Sequence, residues 1–268
     1  MTIIQKSSKK IKGILSDLDG TIYFKGKPIP GSIETILSLN EKGVKLLFFT
    51  NTDSKSPDTI LKNLYNYGFN VKKEELFTPI IALKEFLSKK PASTLFLVTT
   101  EEVKEEFKKF SIIKEFENSK IPDYVIIGDF HDKWDVNQLN HAFKYVMKGA
   151  KLLGTQGNRY YLDKKAEPVL DTGSFVKMVA NAANVEPLIF GKPSREYFLQ
   201  ALIKINLKAE EVIVIGDDIE SDIQGAINAG LRGVLVRTGK GKFIDLDGLS
   251  IKPFKIIESF NQIFKILN

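Results

Sequence analysis

Residues Asp17-Leu18-Asp19-Gly20-Thr21 place two carboxylates one residue apart, directly after a short apolar run, Ile11–Leu15. The run reads as a buried strand. Acidic groups at the carboxyl end of such a strand constrain the fold toward an open α/β sheet, where that edge binds ligands. Side chains at i and i+2 of a strand share a face, so Asp17 and Asp19 can converge on one point. Two convergent carboxylates suit a divalent cation, a nucleophile or an acid/base pair. Gly20 permits a sharp turn immediately after them.

The rest of the chain alternates apolar, β-branched runs with helical spacing. Expected strands are Ile11–Leu15, Val44–Thr50, Thr94–Thr99, Tyr124–Ile127, Lys151–Gly154, Leu188–Phe190, Val212–Ile215 and Gly233–Val236. Leu139, Ala142, Phe143 and Val146 follow the i, i+3, i+4, i+7 pattern of a helix, as do Phe198, Ala201, Leu202 and Ile205. Ile256, Phe260, Ile263 and Leu267 read as one helical stripe, and Gly43 and Gly230 stand where helix C-caps belong. Such alternation implies parallel sheets with right-handed crossovers, the stripes packing on a sheet. The segment from about Pro79 to Glu186 has its own βα pattern and reads as an inserted second domain.

Composition narrows the function classes. The 268 residues suffice for one large or two medium domains. The absence of cysteine removes disulfides, thiolate metal sites and cysteine nucleophiles, and fits a cytoplasmic enzyme. No apolar stretch is long enough to span a membrane. Met1–Lys12 carry no apolar core with a small-residue cleavage site, so no secretory signal is expected. The net charge of +6 could suggest nucleic acid or a membrane surface as partner. The lysines are dispersed, however, and the densest run (Lys6, Lys9, Lys10, Lys12) lies in a terminus expected to fray. The charge reads as a solvated surface, with no nucleic-acid or membrane partner.

Three further motifs fall at strand ends or helix starts. Thr50-Asn51-Thr52 closes an apolar strand, where a hydroxyl and turn amides can hold phosphate oxygens. In Gly191-Lys192-Pro193-Ser194, Pro193 suits the first position of a helix, which puts Lys192 at a helix N-terminus that favours an anion. Gly216-Asp217-Asp218-x-x-x-Asp222 follows another strand and offers carboxylates for a metal and for the groups behind it. Read singly, each is also a turn, an N-cap or a loop feeding a helix. Their order and shared strand context favour chemistry.

With these residues the chain resembles the haloacid dehalogenase-like (HAD) hydrolase superfamily over nearly its whole length. Asp17-Leu-Asp19-Gly-Thr is similar to the first family motif, Thr50 to the second, Lys192 to the third and Gly216-Asp217-Asp218 through Asp222 to the fourth. A long insertion between the second and third resembles the type IIA (C2a cap, NagD-like) phosphatases. Asn158-Arg-Tyr-Tyr161, Val169 to Phe175 and Val236-Arg-Thr-Gly-Lys240 are most similar to the branch containing phospholysine phosphohistidine inorganic pyrophosphate phosphatase. The resemblance implies a Rossmann-like parallel sheet core with helices on both faces, residues 1–78 and 187–268, and an α/β cap, residues 79–186.

It also implies a mechanism. Asp17 would be the nucleophile and form an aspartyl-phosphate. Asp19 would protonate the leaving group and then help deprotonate water. Mg²⁺ would be held by carboxylate oxygens of Asp17 and Asp217 and the backbone carbonyl of Asp19. Thr50 and Asn51 would hold the phosphoryl group and Lys192 would neutralise it. Asp222 and Asp218 would orient Lys192 or metal-bound water. Thr52 stands where many relatives carry Asn, and Ser16 where an apolar residue is usual, a strand-end polar group the fold can tolerate. Asn158, Arg159, Tyr160, Tyr161 and Asp171 are candidates for a specificity loop, although the tyrosines could equally be half-buried strand residues and Arg159 a surface charge. His131 and His141 are expected at the surface or its boundary, and Trp134 as a packing anchor. Small phosphorylated compounds are the implied substrates, and a homodimer through the cap the implied assembly. A phosphotransferase or mutase using the same intermediate, or a non-catalytic phospho-ligand binding protein, are the competing readings; the intact Asp17, Asp19 and Lys192 favour an enzyme.

Overall fold

Continuous apolar, β-branched runs suit strands covered on both faces, and such runs become parallel strands here. The computed structural model describes residues 10–163, 165 and 167–267; Lys6 and Lys9 of the basic run lie outside them. In chain order the first elements are β1 (Gly13–Ser16), β2 (Tyr23–Phe24), β3 (Lys27–Pro28), α1 (Ser32–Glu41), β4 (Lys45–Phe49) and α2 (Pro57–Asn66). Next come β5 (Leu76–Phe77), α3 (Pro79–Ser88), β6 (Thr94–Val98), α4 (Glu101–Glu106), β7 (Ser111–Ile112), β8 (Tyr124–Ile127), α5 (Val136–Met147) and β9 (Lys151–Gly154). They are followed by β10 (Tyr160–Leu162), β11 (Pro168–Leu170), α6 (Thr172–Ala183), β12 (Leu188–Ile189) and α7 (Arg195–Ile205). The last are β13 (Val212–Gly216), α8 (Gly225–Asn228), β14 (Arg232–Val236), β15 (Lys255–Ile257) and α9 (Phe264–Leu267).

The chain divides into two units. One holds the described residues up to Phe49, Tyr67–Phe69 and those from Phe198 onward; the other holds Thr50–Asn66 and Asn70–Tyr197. In the first unit the strands run in the order β15-β14-β13-β1-β4, every neighbouring pair parallel. Ile14, Leu15, Val212 to Ile215 and Val234 to Val236 are buried, as a parallel sheet covered on both faces requires. Helices α1 and α8 are each followed by a left-handed glycine, Gly43 and Gly230. The C-terminal stripe does not form the expected helix. Ile256 lies in β15, which pairs with β14 and buries Ile257, and helix resumes only at Phe260 and Phe264. Pairing there covers the backbone groups on the open edge of β14, which a helix at this position would leave without sheet partners.

The second unit carries a five-stranded parallel sheet, β12-β9-β8-β6-β7, and an antiparallel hairpin of β10 and β11. Its core joins Phe96, Val98, Val125 and Ile127 from the strands to Tyr145, Val146, Val176 and Val179 from α5 and α6. Helix α6 starts on Asp171, whose carboxylate accepts the Thr172 amide, and ends on Asn184 in the left-handed conformation. This unit includes residues 79–186 and also 50–66, 70–78 and 187–197, which the sequence reading groups with the core. Strand β12, beyond residue 186, pairs with β9. We retain 79–186 as the proposed extent of the inserted domain. Among the described residues no helix is long and apolar enough to cross a membrane.

The first unit's core gives a direct stability test. Phe198 of α7 is fully buried, its ring 4.9 Å from that of Phe49 at the end of β4. Phe198→Ala is expected to cost about 3–5 kcal/mol, read as a lower urea midpoint at unchanged slope.

Candidate active site

Parallel pairing in register decides which side chains can meet in the first unit. Ser16 lies opposite Ile215, and the ladder continues through the Asp17 amide, which donates to the Ile215 carbonyl at 2.9 Å. The residues that leave β1 and β13 therefore emerge side by side on the carboxyl edge of the sheet. Asp17 and Asp217 are two of them, both buried. A π-helical segment, Ile219–Gln224, returns a third, Asp222, at 1% exposure. One carboxylate oxygen from each of the three lies within 4.8 Å of the others. Burial pushes the Asp217 carboxyl well up, and the neighbouring Asp17 and Asp222 push it further, against the Lys240 amide that lowers it. Like charges held this close and this far from water fit a multivalent cation, and all-oxygen donors fit a hard one.

Asp218 has a different environment and a different job. Burial would raise its carboxyl, but the Lys240 ammonium at 2.6 Å, with the Ser221 and Glu220 amides, more than offsets this and holds it below the ordinary value. Its Oδ1 accepts both amides at 3.0 Å and so caps the π-helical segment that delivers Asp222. The Asp218 amide donates to Asp222 Oδ2 at 3.1 Å. Asp19 is exposed, two residues beyond the buried Asp17. Ser16 is fully buried, and its hydroxyl donates to the Asp17 carbonyl at 2.8 Å, which satisfies the strand-end polar group.

Two features here have no counterpart in the sequence reading of the site. The loop after β14 folds over Asp217. The Lys240 amide donates to Asp217 Oδ2 at 2.6 Å, and the Thr238 hydroxyl donates to the Gly20 carbonyl. Gly20 and Gly239 both have positive φ, 85° and 50°. A Cβ on either would lie 2.2 Å or 2.0 Å from Asp217 Oδ2, so the carboxylate fits only between two glycines. The signal was present in Thr238-Gly239-Lys240, but only the adjacency of β14 to β13 brings it to the site. The second feature is Tyr23. Burial first, then Asp19 and Asp17, push its phenol well above the ordinary value, so it stays protonated beside them.

The remaining predicted residues belong to the second unit. Thr50 is buried; its Oγ1 accepts the Thr52 amide at 3.1 Å and lies 3.0 Å from the Thr52 hydroxyl. Its carbonyl accepts the Tyr197 hydroxyl at 2.9 Å. Asn51 grips Lys192 through the backbone. Asn51 Nδ2 donates to the Lys192 carbonyl at 2.9 Å, and Asn51 Oδ1 accepts the Lys192 amide at 2.7 Å. Lys192 is 2% exposed. It does not sit at a helix N-terminus. The Ser194 amide donates to the Gly191 carbonyl at 3.0 Å, closing a turn across the cis Lys192–Pro193 peptide, and α7 begins only at Arg195.

Asn158 joins this group: its Oδ1 accepts from Asn51 Nδ2 at 3.0 Å. The Asn158 amide donates to Gln156 Oε1, and Gln156 Nε2 donates to Asp171 Oδ1, both at 2.6 Å. Arg159 is exposed, and its carbonyl accepts the Asp171 amide. Tyr160 and Tyr161 stand on β10 and are 42% and 37% exposed. Tyr161, Trp134, Phe175, Asp129 and Asp171 line a cleft within this unit. Trp134 packs edge-on against Phe175 at 5.8 Å yet is 54% exposed, so it is a wall of the cleft more than a core anchor. His141 is half-buried and stacks on Phe116; His131 is exposed and bonds Asp129 at 2.7 Å. Asp53 is a buried carboxylate absent from the sequence reading. Burial pushes it well up, Asp171 and Asp129 add to that, and the Thr155 and Thr172 hydroxyls oppose it.

Carboxylates gathered on the carboxyl edge of a parallel sheet mark the first unit, and a buried lysine gripped by an asparagine marks the second; both features belong to an α/β fold of the hydrolase kind. Comparison with known proteins agrees. Residues 14–113 match the model of the haloacid dehalogenase-like hydrolase family, and residues 189–263 a second HAD-hydrolase-like model. The chain is 32% identical over 252 residues to haloacid dehalogenase-like hydrolase domain-containing protein 2 of Bos taurus, covering 94% of each. It is 30% identical over 263 residues to phospholysine phosphohistidine inorganic pyrophosphate phosphatase of Homo sapiens, covering 96% of this chain and 94% of the relative. The solved structure of a 4-nitrophenylphosphatase from Thermotoga maritima matches at 27% identity and a TM-score of 0.87, over 97% of this chain and 99% of that one. The chain belongs to the haloacid dehalogenase-like hydrolase family, in its type IIA group. The two kinds of sequence relative are almost equally similar, so identity does not single out the branch that residues 158–161 and 169–175 resemble.

Gly239→Val should displace the Asp217 carboxylate and weaken divalent-cation binding by about 10–100-fold, measured by titration calorimetry with Mg²⁺. For Asp53 the sign is set by linkage. The folded state holds this proton more tightly than the unfolded chain, so stability falls as pH rises from about 4 through the raised folded value. Denaturation series from about pH 5 to about pH 8 should show that loss in the wild type and a shallower one in Asp53→Asn, with Asp129, Asp171 and His131 common to both.

Proposed function

We propose that this protein is a Mg²⁺-dependent phosphatase that hydrolyses small phosphorylated compounds through an aspartyl-phosphate. The observation that carries the reading is the convergence of the buried Asp17, Asp217 and Asp222 carboxylates, with the exposed Asp19 two residues beyond the first. The names of the phosphatase relatives support it.

In this scheme Asp17 attacks phosphorus and the bond to the leaving oxygen breaks, which a carboxylate held in line can achieve. Asp19 delivers its proton to that oxygen; as the exposed member of the pair it can reach it. The same carboxylate then takes a proton from the water that attacks the phosphorus of the aspartyl-phosphate, and inorganic phosphate leaves with Asp17 restored. Mg²⁺ bound by Asp17, the Asp19 carbonyl and Asp217 would supply charge neutralisation for the transferring group. Asp222, which we place beside these ligands, and Asp218, through its cap and Lys240, keep them oriented. Thr50, Asn51 and Thr52 offer a hydroxyl and turn amides to phosphoryl oxygens, and Lys192 the opposing charge. Tyr23, held protonated, can donate a hydrogen bond near Asp19. Selection among substrates is assigned to the second unit, where Tyr161, Trp134, Phe175 and Asp171 shape a cleft and Asn158 and Arg159 stand just before the strand that lines it. A cytoplasmic location and a homodimer through the inserted domain belong to the same proposal.

Hydrolysis of an aryl phosphate with and without Mg²⁺ tests it. Asp17→Asn should lower kcat on the order of 10⁴-fold or more; equal rates in wild type and variant would sink the nucleophile assignment. Asp19→Asn should cost about 10²–10⁴-fold with alkyl phosphates; with a nitrophenyl ester, whose leaving oxygen needs no proton, the first step should be spared and give a burst of nitrophenol, while release of phosphate stays slow.

A further inference from the structure

The loop that follows Thr50 and Asn51 is anchored at the carboxyl ends of three strands of the second unit's own sheet. After β6, the Thr100 hydroxyl donates to the Ser54 carbonyl at 2.9 Å. After β8, the Asp129 amide donates to Asp53 Oδ2 at 3.2 Å. After β9, the Thr155 hydroxyl donates to the same oxygen, and from the first turn of α6 so does the Thr172 hydroxyl, at 2.9 Å. Three donors from three separate elements thus converge on one oxygen of a carboxylate that is 4% exposed.

These bonds close a ring. From Asp53 it passes through the Thr172 hydroxyl to the Thr172 amide on Asp171, then through Gln156 and Asn158 to Asn51, two residues before Asp53. Asn51 is the residue whose amide group fixes the Lys192 backbone on both sides. Losing this buried acceptor takes the partner shown here from the Asp129 amide and the Thr172 hydroxyl and leaves the Thr155 hydroxyl only the Ile127 carbonyl at 3.4 Å, so the ring has one member on which its geometry depends.

We propose that Asp53 is a positioning residue for phosphoryl binding: by closing this ring it fixes Asn51, and through Asn51 it fixes Lys192. The inference rests on the phosphatase reading for its functional consequence, but its geometric core does not. Asp53 touches no substrate. It acts as an acceptor and not as a charge, since every donor to it is a neutral hydroxyl or amide, and burial favours its uncharged form.

The test uses the full chain and four proteins: wild type, Asp53→Leu, Asp53→Asn and Thr172→Val. Asparagine keeps an acceptor oxygen; leucine keeps bulk alone; Thr172→Val removes one donor and serves if the leucine variant does not fold. The first readout is hydrogen exchange, independent of any turnover. Asp53→Leu should speed exchange of the Lys192 amide about tenfold while the β8 and β9 amides stay protected. Asp53→Asn should match the wild type, and Thr172→Val should fall between. The second readout is kinetic: Asp53→Leu should raise KM for an aryl phosphate and the inhibition constant of inorganic phosphate about tenfold, with a smaller fall in kcat. A folded leucine or valine variant with unchanged Lys192 exchange overturns the proposal, whether or not the wild type hydrolyses phosphate esters. So does an asparagine variant as impaired as leucine, since that would make the charge essential. An inactive wild type with accelerated Lys192 exchange in the leucine variant refutes the phosphatase reading and leaves the positioning role supported.

Discussion

The first unit is organised around one electrostatic constraint: three carboxylates, Asp17, Asp217 and Asp222, share a volume that almost excludes water. Alone, such an arrangement costs several kcal/mol per charge and would select a sequence that separates them. The fold instead invests structure in holding them together. The β1–β13 register fixes two, a π-helical segment capped by Asp218 fixes the third, and glycines on two loops leave room for Asp217 alone. A bound cation would relieve the repulsion that burial and proximity create. Asp19, three residues past the end of β1, is left outside this cluster and exposed, as the proton-transfer role proposed for it requires.

Lys240 shows how finely that charge is divided. Its ammonium goes to Asp218 and its amide to Asp217, so one residue stabilises the ionised cap while leaving the Asp217 carboxyl raised. A neighbouring cation placed directly on Asp217 would compete with a metal. A backbone amide orients the carboxylate without that competition.

Much of this was legible in the sequence, for physical reasons. Parallel strands covered on both faces need unbroken apolar runs, so Tyr124–Ile127 and Lys151–Gly154 have the expected bounds and β1, β4, β6, β13 and β14 differ by a residue or two. The acidic motifs were visible because the chemistry needs particular residue types next to strand ends. What escaped depends on tertiary neighbours. Two-residue strands such as β5 and β7 carry no periodicity to read. Ile256 has helical spacing with Phe260, but an open sheet edge at β14 captures it. Lys192 was expected at a helix start because Pro193 favours one, yet a local turn intervenes. Asp53 carries no signal in the sequence, because its three donors lie 76, 102 and 119 positions away.

That last distance separates two ways of building a site. The carboxylate cluster arises from strand ends adjacent in one sheet, and its members announce themselves as short motifs. The Asn51–Lys192 pair arises from a loop tied to the ends of β6, β8 and β9, and its geometry is set by neutral hydrogen bonds that leave no motif. Two members of this ring, Asp171 and Thr172, and Asp129, whose amide donates to Asp53, also line the cleft with Trp134 and Phe175. A side chain that reshapes the cleft therefore also loads the ring that holds Asn51. If the second unit selects the substrate and holds the phosphoryl group as proposed, both should change together when the cleft is altered, while the carboxylate cluster of the first unit, built on its own strand ends, should be spared.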